Sequence, residues 1–412
     1  MTDAHGAIDA VWRIESPKLI AGLTRIVRDV GLAEDLAHDA LVAGLEQWPE
    51  SGTPANPGAW LMAIAKRRAI DHFRRSASLE RKYAAIAAEL EEHEEMPDPE
   101  EDVGDDLLRL IFIACHPVLS PDARIALTLR LLGGLTTDEI ARAFLMPEPT
   151  IAQRIVRAKR TLSAANITFE VPGPAERAER LGSVLEVIYL TFNEGYAATA
   201  GQDWVRPALC EDALRLGRVL AGLMPAEPEV HGLVALMEIQ FSRFRARVGP
   251  SGEPVLLLDQ DRGRWDHLAI HRGLKALERA EGFGAPGPYT LQAAIAACHA
   301  RARTADETDW ARMVALYDAL AQSMPSPVVE LNRAVAVGMA YGPAAGLELV
   351  DQLVDEGSLA SYHLLSSVRG DLLAKLGRGE EARAEFERAA SMTGNERERE
   401  LLLARANEAP PR

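Results

Sequence analysis

Apolar residues recur at intervals of three and four along most of the chain, whereas alternating β-branched runs are scarce. A period near 3.6 gathers apolar side chains on one side of a helix and therefore predicts an all-α fold. The first 80 residues contain three such stretches. They predict helices over 8–30, 32–48 and 59–75.

The second predicted helix carries a polar face opposite its apolar one. We expect Glu34, Asp35, His38 and Asp39 to point outward there. The stretch 49–58 that follows is rich in Pro, Gly and Asn, which predicts a loop.

Residues 136–162 read as two short helices joined by a turn. Thr136 and Glu139 have the spacing of a capping box, which predicts the start of the first helix. The second helix would place apolar residues inward and a basic, polar face outward. A helix of this kind can lie in the DNA major groove, with its first residues on base edges and its basic residues on phosphates. The candidates for base contacts are Glu148, Thr150, Gln153 and Arg154, and those for phosphate contacts are Arg157, Lys159 and Arg160. A helical hairpin with a solvated basic face is the alternative.

The C-terminal stretch shows a repeat of about 34 residues, which is typical of tetratricopeptide-like helix pairs. Tyr317, Asp351 and Phe386 step by this interval, and Gly377 follows Gly342 at a similar one. Asp351 stands where an aromatic residue is expected, so the middle repeat is degenerate. We expect a turn at the Gly-Asn pair 394–395. Stacked helix pairs present a concave surface suited to a partner, although a purely stabilising solenoid is the alternative.

The charge of the chain is unevenly distributed. The 412 residues carry a formal net charge of −16, yet 66–82 holds seven Lys and Arg residues. The stretch 89–106 holds eleven Asp and Glu residues and two prolines, which predicts a solvated linker. An acidic segment that shields the basic ones is the other interpretation. Three scattered cysteines, no apolar stretch near 18 residues and no signal peptide predict a cytoplasmic protein.

Catalytic chemistry is not indicated. Candidate groups in the C-terminal half are Glu194, Asp266, His267, Cys298 and His299. Neighbouring residues on a helix point about 100° apart, so Cys298 and His299 cannot form a dyad with each other. Zinc spacing, a nucleotide loop and a nucleophile elbow are all missing from the sequence. We therefore expect no enzyme activity, no metal and no cofactor.

Motifs of two domains, in the same order along the chain, resemble bacterial RNA polymerase sigma factors of the extracytoplasmic-function group. AEDLAHDALVAGLEQW and NPGAWLMAIAKRRAIDHFRR resemble the polymerase-binding and promoter-melting helices of sigma domain 2, and RIVRAKRTL resembles the end of sigma domain 4. The resemblance implies domain 2 over 1–80, an acidic linker over 81–106 and domain 4 over 107–168. IYLTFNEGYAATAG, RWDHLAIHRGLKALERA and GPYTLQAAIAACHARA resemble the subgroup with a long helical C-terminal extension, here 175–412 and tetratricopeptide-like from about 290.

The resemblance also assigns roles to residues. Asp35, His38 and Asp39 would meet core polymerase, with His38 and Asp39 departing from the Gln and Glu common in the family. The implied −10 and melting residues are Asn56, Trp60, Lys66, Arg67, Arg68, Arg74 and Arg75. Asn56 and Trp60 would receive a flipped base, although Trp60 is equally well placed for the core. Pro149 is a departure in the −35 helix, since it fixes the backbone where the family often has a small residue.

The function implied is that of an alternative sigma factor. Its partners would be core RNA polymerase and promoter DNA, with the C-terminal extension acting as a regulatory domain on the sigma domains or on a signalling partner. The competing hypothesis is a helix-turn-helix regulator with a tetratricopeptide-like sensor domain that acts without polymerase. That hypothesis leaves the motifs at 33–48 and 56–75 unexplained.

Overall fold

The computed structural model describes residues 2–76, 103–144, 146–165, 167–197, 200–201, 205–250 and 252–408. These residues form eighteen α-helices and two strands of two residues, which confirms the all-α prediction. None of the described helices is long and apolar enough to cross a membrane. The chain divides into two compact units, Met1–Ile188 and Tyr189–Arg412.

The N-terminal unit begins with three helices that pack on one another, α1 (Thr2–Val27), α2 (Val30–Ser51) and α3 (Pro57–Ser76). The α1–α2 break lies at Arg28, which has φ 56, and Asp29 caps α2 by accepting a 2.8 Å hydrogen bond from the Leu32 amide. The predicted loop 49–58 is shorter than expected, because α2 continues to Ser51. Gly52 ends the helix with φ 81 and donates to the Trp48 carbonyl.

The second half of this unit holds the helix-turn-helix. Its helices are α4 (Val103–Ala114), α5 (Pro121–Leu131), α6 (Thr137–Ala143), α7 (Glu148–Ala164) and the first part of α8 (Pro174–Tyr196). The predicted capping box at the start of α6 is present, with the Glu139 amide 3.1 Å from Thr136 Oγ1 and the Thr136 amide 2.8 Å from Glu139 Oε2. The predicted apolar face of α7, formed by Ile151, Ile155, Ala158 and Leu162, is buried.

The structure places two predicted borders differently, the end of the acidic linker before α4 and the start of the C-terminal extension in α8. Helix α4 begins at Val103, and Asp106 is buried and paired with Arg25 at 3.2 Å and Arg109 at 2.7 Å. The last four residues of the expected linker are therefore helical, while 81–102 lie outside the described residues.

The start of α8, which we expected in the extension, belongs to the N-terminal unit. Ser183 donates a 2.6 Å hydrogen bond to the Cys115 carbonyl, and Arg180 donates to the Phe112 carbonyl at 2.9 Å. These bonds explain why 175–188 lie in this unit.

The C-terminal unit is a series of helices that pack on their chain neighbours. They are the end of α8, α9 (Pro207–Leu223), α10 (Pro228–Ser242), α11 (His267–Glu281), α12 (Pro288–Arg301), α13 (Trp310–Ser323), α14 (Pro327–Tyr341), α15 (Pro343–Glu356), α16 (His363–Lys375), α17 (Gly379–Met392) and α18 (Glu396–Glu408). The segment between α10 and α11 holds three short 3-10 helices, Phe244–Ala246, Leu257–Asp259 and Arg262–Arg264.

The small and large positions of the predicted repeat match the packing near the C-terminus. Gly370 lies against the buried ring of Phe386, where an added Cβ would come within 2.9 Å of the ring. At the degenerate position, Asp351 is partly exposed and pairs with Arg369 at 2.8 Å. The expected turn at 394–395 is instead strand β2 (Gly394–Asn395), which pairs in parallel with β1 (Ala200–Gly201). The tetratricopeptide assignment itself stays a prediction.

Candidate polymerase and promoter interfaces

The predicted polymerase-binding face of α2 is only partly exposed. Asp35 and Asp39 point to solvent, and Asp39 pairs with Arg68 of α3 at 3.1 Å. His38 is half-buried, contrary to the expectation of a fully exposed face. Glu34, also expected outward, is only 4% exposed.

Glu34 is buried because helices of the helix-turn-helix region cover it. Its Oε1 accepts a 2.6 Å hydrogen bond from Arg130 Nε of α5, and Lys159 of α7 forms an ion pair with Oε2. Burial alone would raise the pKa of the Glu34 carboxyl, but Lys159 and Arg130 outweigh it, so the pKa is lowered. Glu34 is therefore charged and neutralised by two cations from the other domain.

His38 belongs to the same set of contacts, which we call the Glu34 cluster (Glu34, His38, Arg130 and Lys159). Arg130 donates a 2.8 Å hydrogen bond to His38 Nε2, and the imidazole packs edge-on to Trp12 at 5.2 Å. A guanidinium can only donate, so Nε2 must carry its lone pair. Burial and the neighbouring Arg130 lower the pKa of His38, which fits this neutral ring.

The predicted −10 residues near the start of α3 have structural partners. Asn56 Oδ1 caps the helix by accepting a 3.0 Å hydrogen bond from the Ala59 amide, while the residue remains exposed. Trp60 is half-buried and packs edge-on against the buried Trp48, with ring centroids 5.2 Å apart. Asn56 and Trp60 are near each other in sequence, but the side-chain oxygen of Asn56 already accepts the bond from the Ala59 amide.

The basic residues of α3 differ in their availability. Arg67 and Arg74 are exposed, and the half-buried Arg68 pairs with Asp39. Lys66 is half-buried, and burial and the nearby Arg25 lower its pKa. The side chain of Arg75 lies outside the described part of the chain.

The outer face of α7 is largely as predicted. Its exposed members are Glu148, Thr150, Gln153, Arg157 and Arg160. Arg154 is half-buried and pairs with Asp122 at 3.3 Å. Lys159 is turned away from this face by its ion pair with Glu34, so it is not available to a phosphate in this conformation.

Pro149 lies exposed in the first turn of α7. The Thr150 amide bonds back to the Pro147 carbonyl at 2.9 Å. The turn therefore forms despite the missing donor, since first-turn amides have no partner within the helix.

Sequence reasoning missed the importance of Glu34 and Arg130. Glu34 follows Val30 by four positions and precedes Ala37 by three, so helical spacing places it beside buried residues of α2. That spacing is the signal that could have identified it. A second contact between the same parts of the unit joins Arg13 of α1 to Glu139 of α6 at 2.8 Å.

Three of the catalytic candidates in the C-terminal unit, Glu194, Asp266 and Cys298, have structural partners, whereas His267 is exposed at the start of α11. Glu194 pairs with Arg206, and Asp266 caps α11 by accepting from the Leu268 and Ala269 amides at 2.9 and 3.0 Å. Cys298 is buried and its thiol donates to the Ala294 carbonyl. Within the described ranges, no three His, Cys, Asp or Glu residues are grouped so as to hold a metal ion.

Comparison with known families identifies both halves of the N-terminal unit. Residues 12–78 match sigma-70 region 2 and residues 109–162 match sigma-70 region 4. Residues 180–281 match a family of unknown function, DUF6596. No solved structure matches the chain.

Similar proteins agree with these matches. An uncharacterized protein of Rhizobium meliloti is 43% identical over 404 residues, covering 96% of this chain and 94% of its own length. A probable extracytoplasmic-function sigma factor SigI of Mycobacterium tuberculosis is 27% identical over 170 residues, covering 40% of this chain and 58% of its own. The sigma factor SigK of Mycobacterium ulcerans is 28% identical over 145 residues, covering 34% of this chain and 75% of its own.

The hypothesis of a regulator that acts without polymerase does not account for the match to sigma-70 region 2. The matches instead indicate a promoter-recognition subunit of RNA polymerase, which is not an enzyme by itself. The chain belongs to the family of the Rhizobium protein, and it is an alternative sigma factor of the extracytoplasmic-function group in which regions 2 and 4 are followed by a long helical extension.

Proposed function

We propose that α2 binds core RNA polymerase through Asp35, His38 and Asp39, and that regions 2 and 4 of this sigma factor adopt a closed state in which they contact each other. The observation that supports the closed state is the Glu34 cluster, in which Arg130 of α5 and Lys159 of the proposed −35 helix α7 bind Glu34 of α2. We also propose a cytoplasmic location, because core polymerase and promoter DNA are found there.

The exposed faces of α3 and α7 are the proposed DNA contacts. Arg67 and Arg74 would follow the backbone of the −10 strand, and Asn56 with Trp60 would receive an unstacked base. On α7, Thr150 and Gln153 are exposed near the helix start, where a recognition helix meets base edges.

The closed state cannot read both promoter elements at once. The −35 and −10 positions are about 25 base pairs apart, which at about 3.4 Å per pair is roughly 85 Å of duplex. Packed helices have axes only about 8–10 Å apart, and α2 packs on both α3 and α7. The two domains must therefore separate. The chain between Ser76 and Val103 is long enough for this, since an extended chain spans about 3.4 Å per residue.

Opening the closed state would also complete the DNA-binding face. When α2 leaves, Lys159 loses Glu34 and becomes free to join Arg157 and Arg160 on the DNA backbone. Polymerase binding to α2 and DNA binding by α7 would thus favour the same open state, which is positive coupling between the two sites.

We further propose that the helical extension regulates access to the sigma domains or to polymerase. Its length and its repeat of helix pairs support a role in binding, since stacked pairs present an extended concave surface. The extension should be tested by truncation after Tyr196 rather than after residue 174, because Arg180 and Ser183 are bonded within the N-terminal unit.

In vitro transcription with core polymerase on a promoter library tests the sigma function. Charge reversal by Asp35→Lys and Asp39→Lys should reduce core association and transcript yield, while Asp355→Lys, an exposed acid in the other unit, should leave both unchanged. Equal core binding by all three variants would refute the proposed docking face. For the extension, identical output from the full chain and the chain ending at Tyr196, with and without inducing conditions, would refute regulation.

A further inference from the structure

Three arginines and two aromatic rings converge in the C-terminal unit. Arg247 lies 3.7 Å from the centre of the Tyr196 ring, and Arg262 lies 4.9 Å from the Trp265 ring. Arg243 is between them, 5.8 Å from the Tyr196 ring and 6.0 Å from the Trp265 ring. We call these five residues, together with His299, the arginine cluster.

Positive charge in this cluster exceeds negative charge. Arg262 Nη1 donates to the carbonyls of His299 and Ala302 at 2.6 and 2.7 Å, and neither carbonyl carries a charge. Burial and Arg243 lower the pKa of Arg262, and they outweigh Glu307, which lies near enough to raise it. No carboxylate of the described residues forms an ion pair with Arg243, although Arg243 is only 7% exposed. Buried arginines are normally paired with an acid, so an unpaired Arg243 beside a second cation needs an explanation.

Hydrogen-bond donors in the cluster also lack acceptors. Arg243 Nε and Trp265 Nε1 are buried without a partner in the described chain, and Trp265 is 4% exposed. Both groups can only donate. His299, 6% exposed, has an unpartnered Nδ1 as well. Most buried polar groups in proteins are bonded, and a group of orphaned donors around a surplus cation calls for an acceptor that carries negative charge.

We propose that the arginine cluster binds a small ligand bearing an oxyanion, either a carboxylate or a phosphate, with the anion on Arg243 and the indole N–H of Trp265. Guanidinium groups recognise both anions through charge-assisted hydrogen bonds. The faces of Tyr196 and Trp265 would contact a flat or apolar body of the ligand.

His299 fits an anion site without adding charge to it. Burial, and then the nearby Arg243 and Arg262, lower its pKa to about 3, so the imidazole is neutral at physiological pH. Its ring packs edge-on to Trp310 at 5.3 Å, which fixes its orientation. A neutral imidazole can still donate one hydrogen bond, and the tautomer that protonates Nδ1 would supply it.

The arginine cluster lies in the part of the extension that has no assigned function. Residues 180–281, which hold five of the six cluster members, match a family with no assigned function. A ligand held there would give the extension a chemical signal to respond to. This inference does not depend on the proposed regulatory role, since binding is measured on the isolated full-length protein.

Isothermal titration of the full-length protein with inorganic phosphate and with benzoate, each at constant ionic strength balanced by potassium chloride, tests the site. Both probes carry an oxyanion, and the one that binds more tightly shows whether the site prefers a phosphate or a carboxylate. We expect saturable binding by at least one probe. Arg243→Gln should weaken it at least tenfold, whereas Arg245→Gln, an exposed arginine two residues away, should leave it unchanged.

Trp265→Phe provides a second test that keeps an aromatic ring and removes only the N–H donor. It should weaken binding of the same probe several-fold while circular dichroism shows an intact fold. If Arg243→Gln does not fold, this variant decides the question. The proposal is overturned if neither probe binds the wild-type protein saturably, or if Trp265→Phe binds as wild type does.

Discussion

Replacement of Arg130 by methionine should open the closed state. Arg130 lies on α5 and is not itself one of the predicted polymerase or DNA contacts, although in the closed state it bonds His38 of the predicted polymerase-binding face. Across the contact it donates to Glu34 Oε1 at 2.6 Å and to His38 Nε2 at 2.8 Å. Methionine keeps the apolar stem and removes both of these bonds, together with the 3.0 Å bond from Arg130 to the Leu135 carbonyl, and it leaves Lys159 as the cation bound to Glu34.

The free energy that the closed state loses on this replacement can be worked out from the burial of the ion pair between Arg130 and Glu34. Hydrogen bonds to charged groups contribute about 1.5–3 kcal/mol, and loss of one partner from a buried ion pair costs about 3–5 kcal/mol. Glu34 keeps its second cation, so a loss of about 2–4 kcal/mol is expected for the closed state. At 1.4 kcal/mol per factor of ten, this shifts the ratio of open to closed molecules by roughly 30- to 700-fold.

Energy transfer between dyes on Ser51→Cys and Ser163→Cys measures that ratio, since both serines are exposed and the three native cysteines are buried. Arg130→Met should lower the transfer. It should also strengthen core polymerase binding by up to the same factor, because apparent affinity scales with the fraction of competent molecules.

Arg142→Met is the matched control. The Arg142 side chain is 70% exposed, and within the described residues its ion pair is with Asp138 one turn away, a contact that contributes about 0.3–0.5 kcal/mol. The energy transfer and the core polymerase affinity of Arg142→Met should equal those of the wild type. If Arg130→Met behaves like Arg142→Met, the Glu34 cluster does not hold the domains together and the closed-state proposal is wrong.

Lowering the pH from 7.5 to 5.5 should favour the open state. The pKa of His38 is lowered in the closed state, so His38 stabilises that state fully above its ordinary pKa of about 6.5, and this stabilisation is lost progressively as the pH falls below 6.5 towards the lowered pKa. His38→Gln should therefore flatten the pH profile of the energy transfer. Arg157→Gln and Arg160→Gln should each weaken promoter binding similarly on all sequences and reduce the salt slope by about 1 in filter-binding titrations. Phe386→Ala should destabilise the C-terminal unit by about 3–5 kcal/mol in urea unfolding, since its ring is buried against Gly370. The thiol of Cys210, whose pKa is raised by burial, should react with a disulfide reagent far more slowly in native protein than in urea.

Local features of the fold were predictable from the sequence because neighbouring residues determine them. The capping box of Thr136 and Glu139 needs only two side chains three positions apart, and both of its bonds are present. The apolar face of α7 follows from helical spacing for the same reason. The end of α2 was misjudged because Pro49 suggested a loop, although a proline in the last turn did not end the helix before Gly52.

Contacts between distant segments were not predictable in this way. The partners of Glu34 lie 96 and 125 positions along the chain, and no periodic pattern links them. Lys159 shows the consequence, since its position on α7 suggested a phosphate contact while the structure pairs it with a carboxylate. Local sequence determines which face of a helix is polar, but tertiary packing determines what covers that face.

The closed state also constrains what an activating partner must provide. In the closed state, the Glu34 carboxylate is desolvated and depends on two cations. Opening exchanges those cations for water, which solvates a charge well, and leaves Arg130 and Lys159 solvated too. The exchange becomes favourable only if new partners bind the released groups: a cationic surface for the acidic face of α2, and an anionic one for Lys159. Core polymerase at α2 and DNA phosphates at α7 would supply these opposite charges, so neither partner alone recovers both halves of the cluster. We therefore expect the open state to be most populated when polymerase and promoter are bound together.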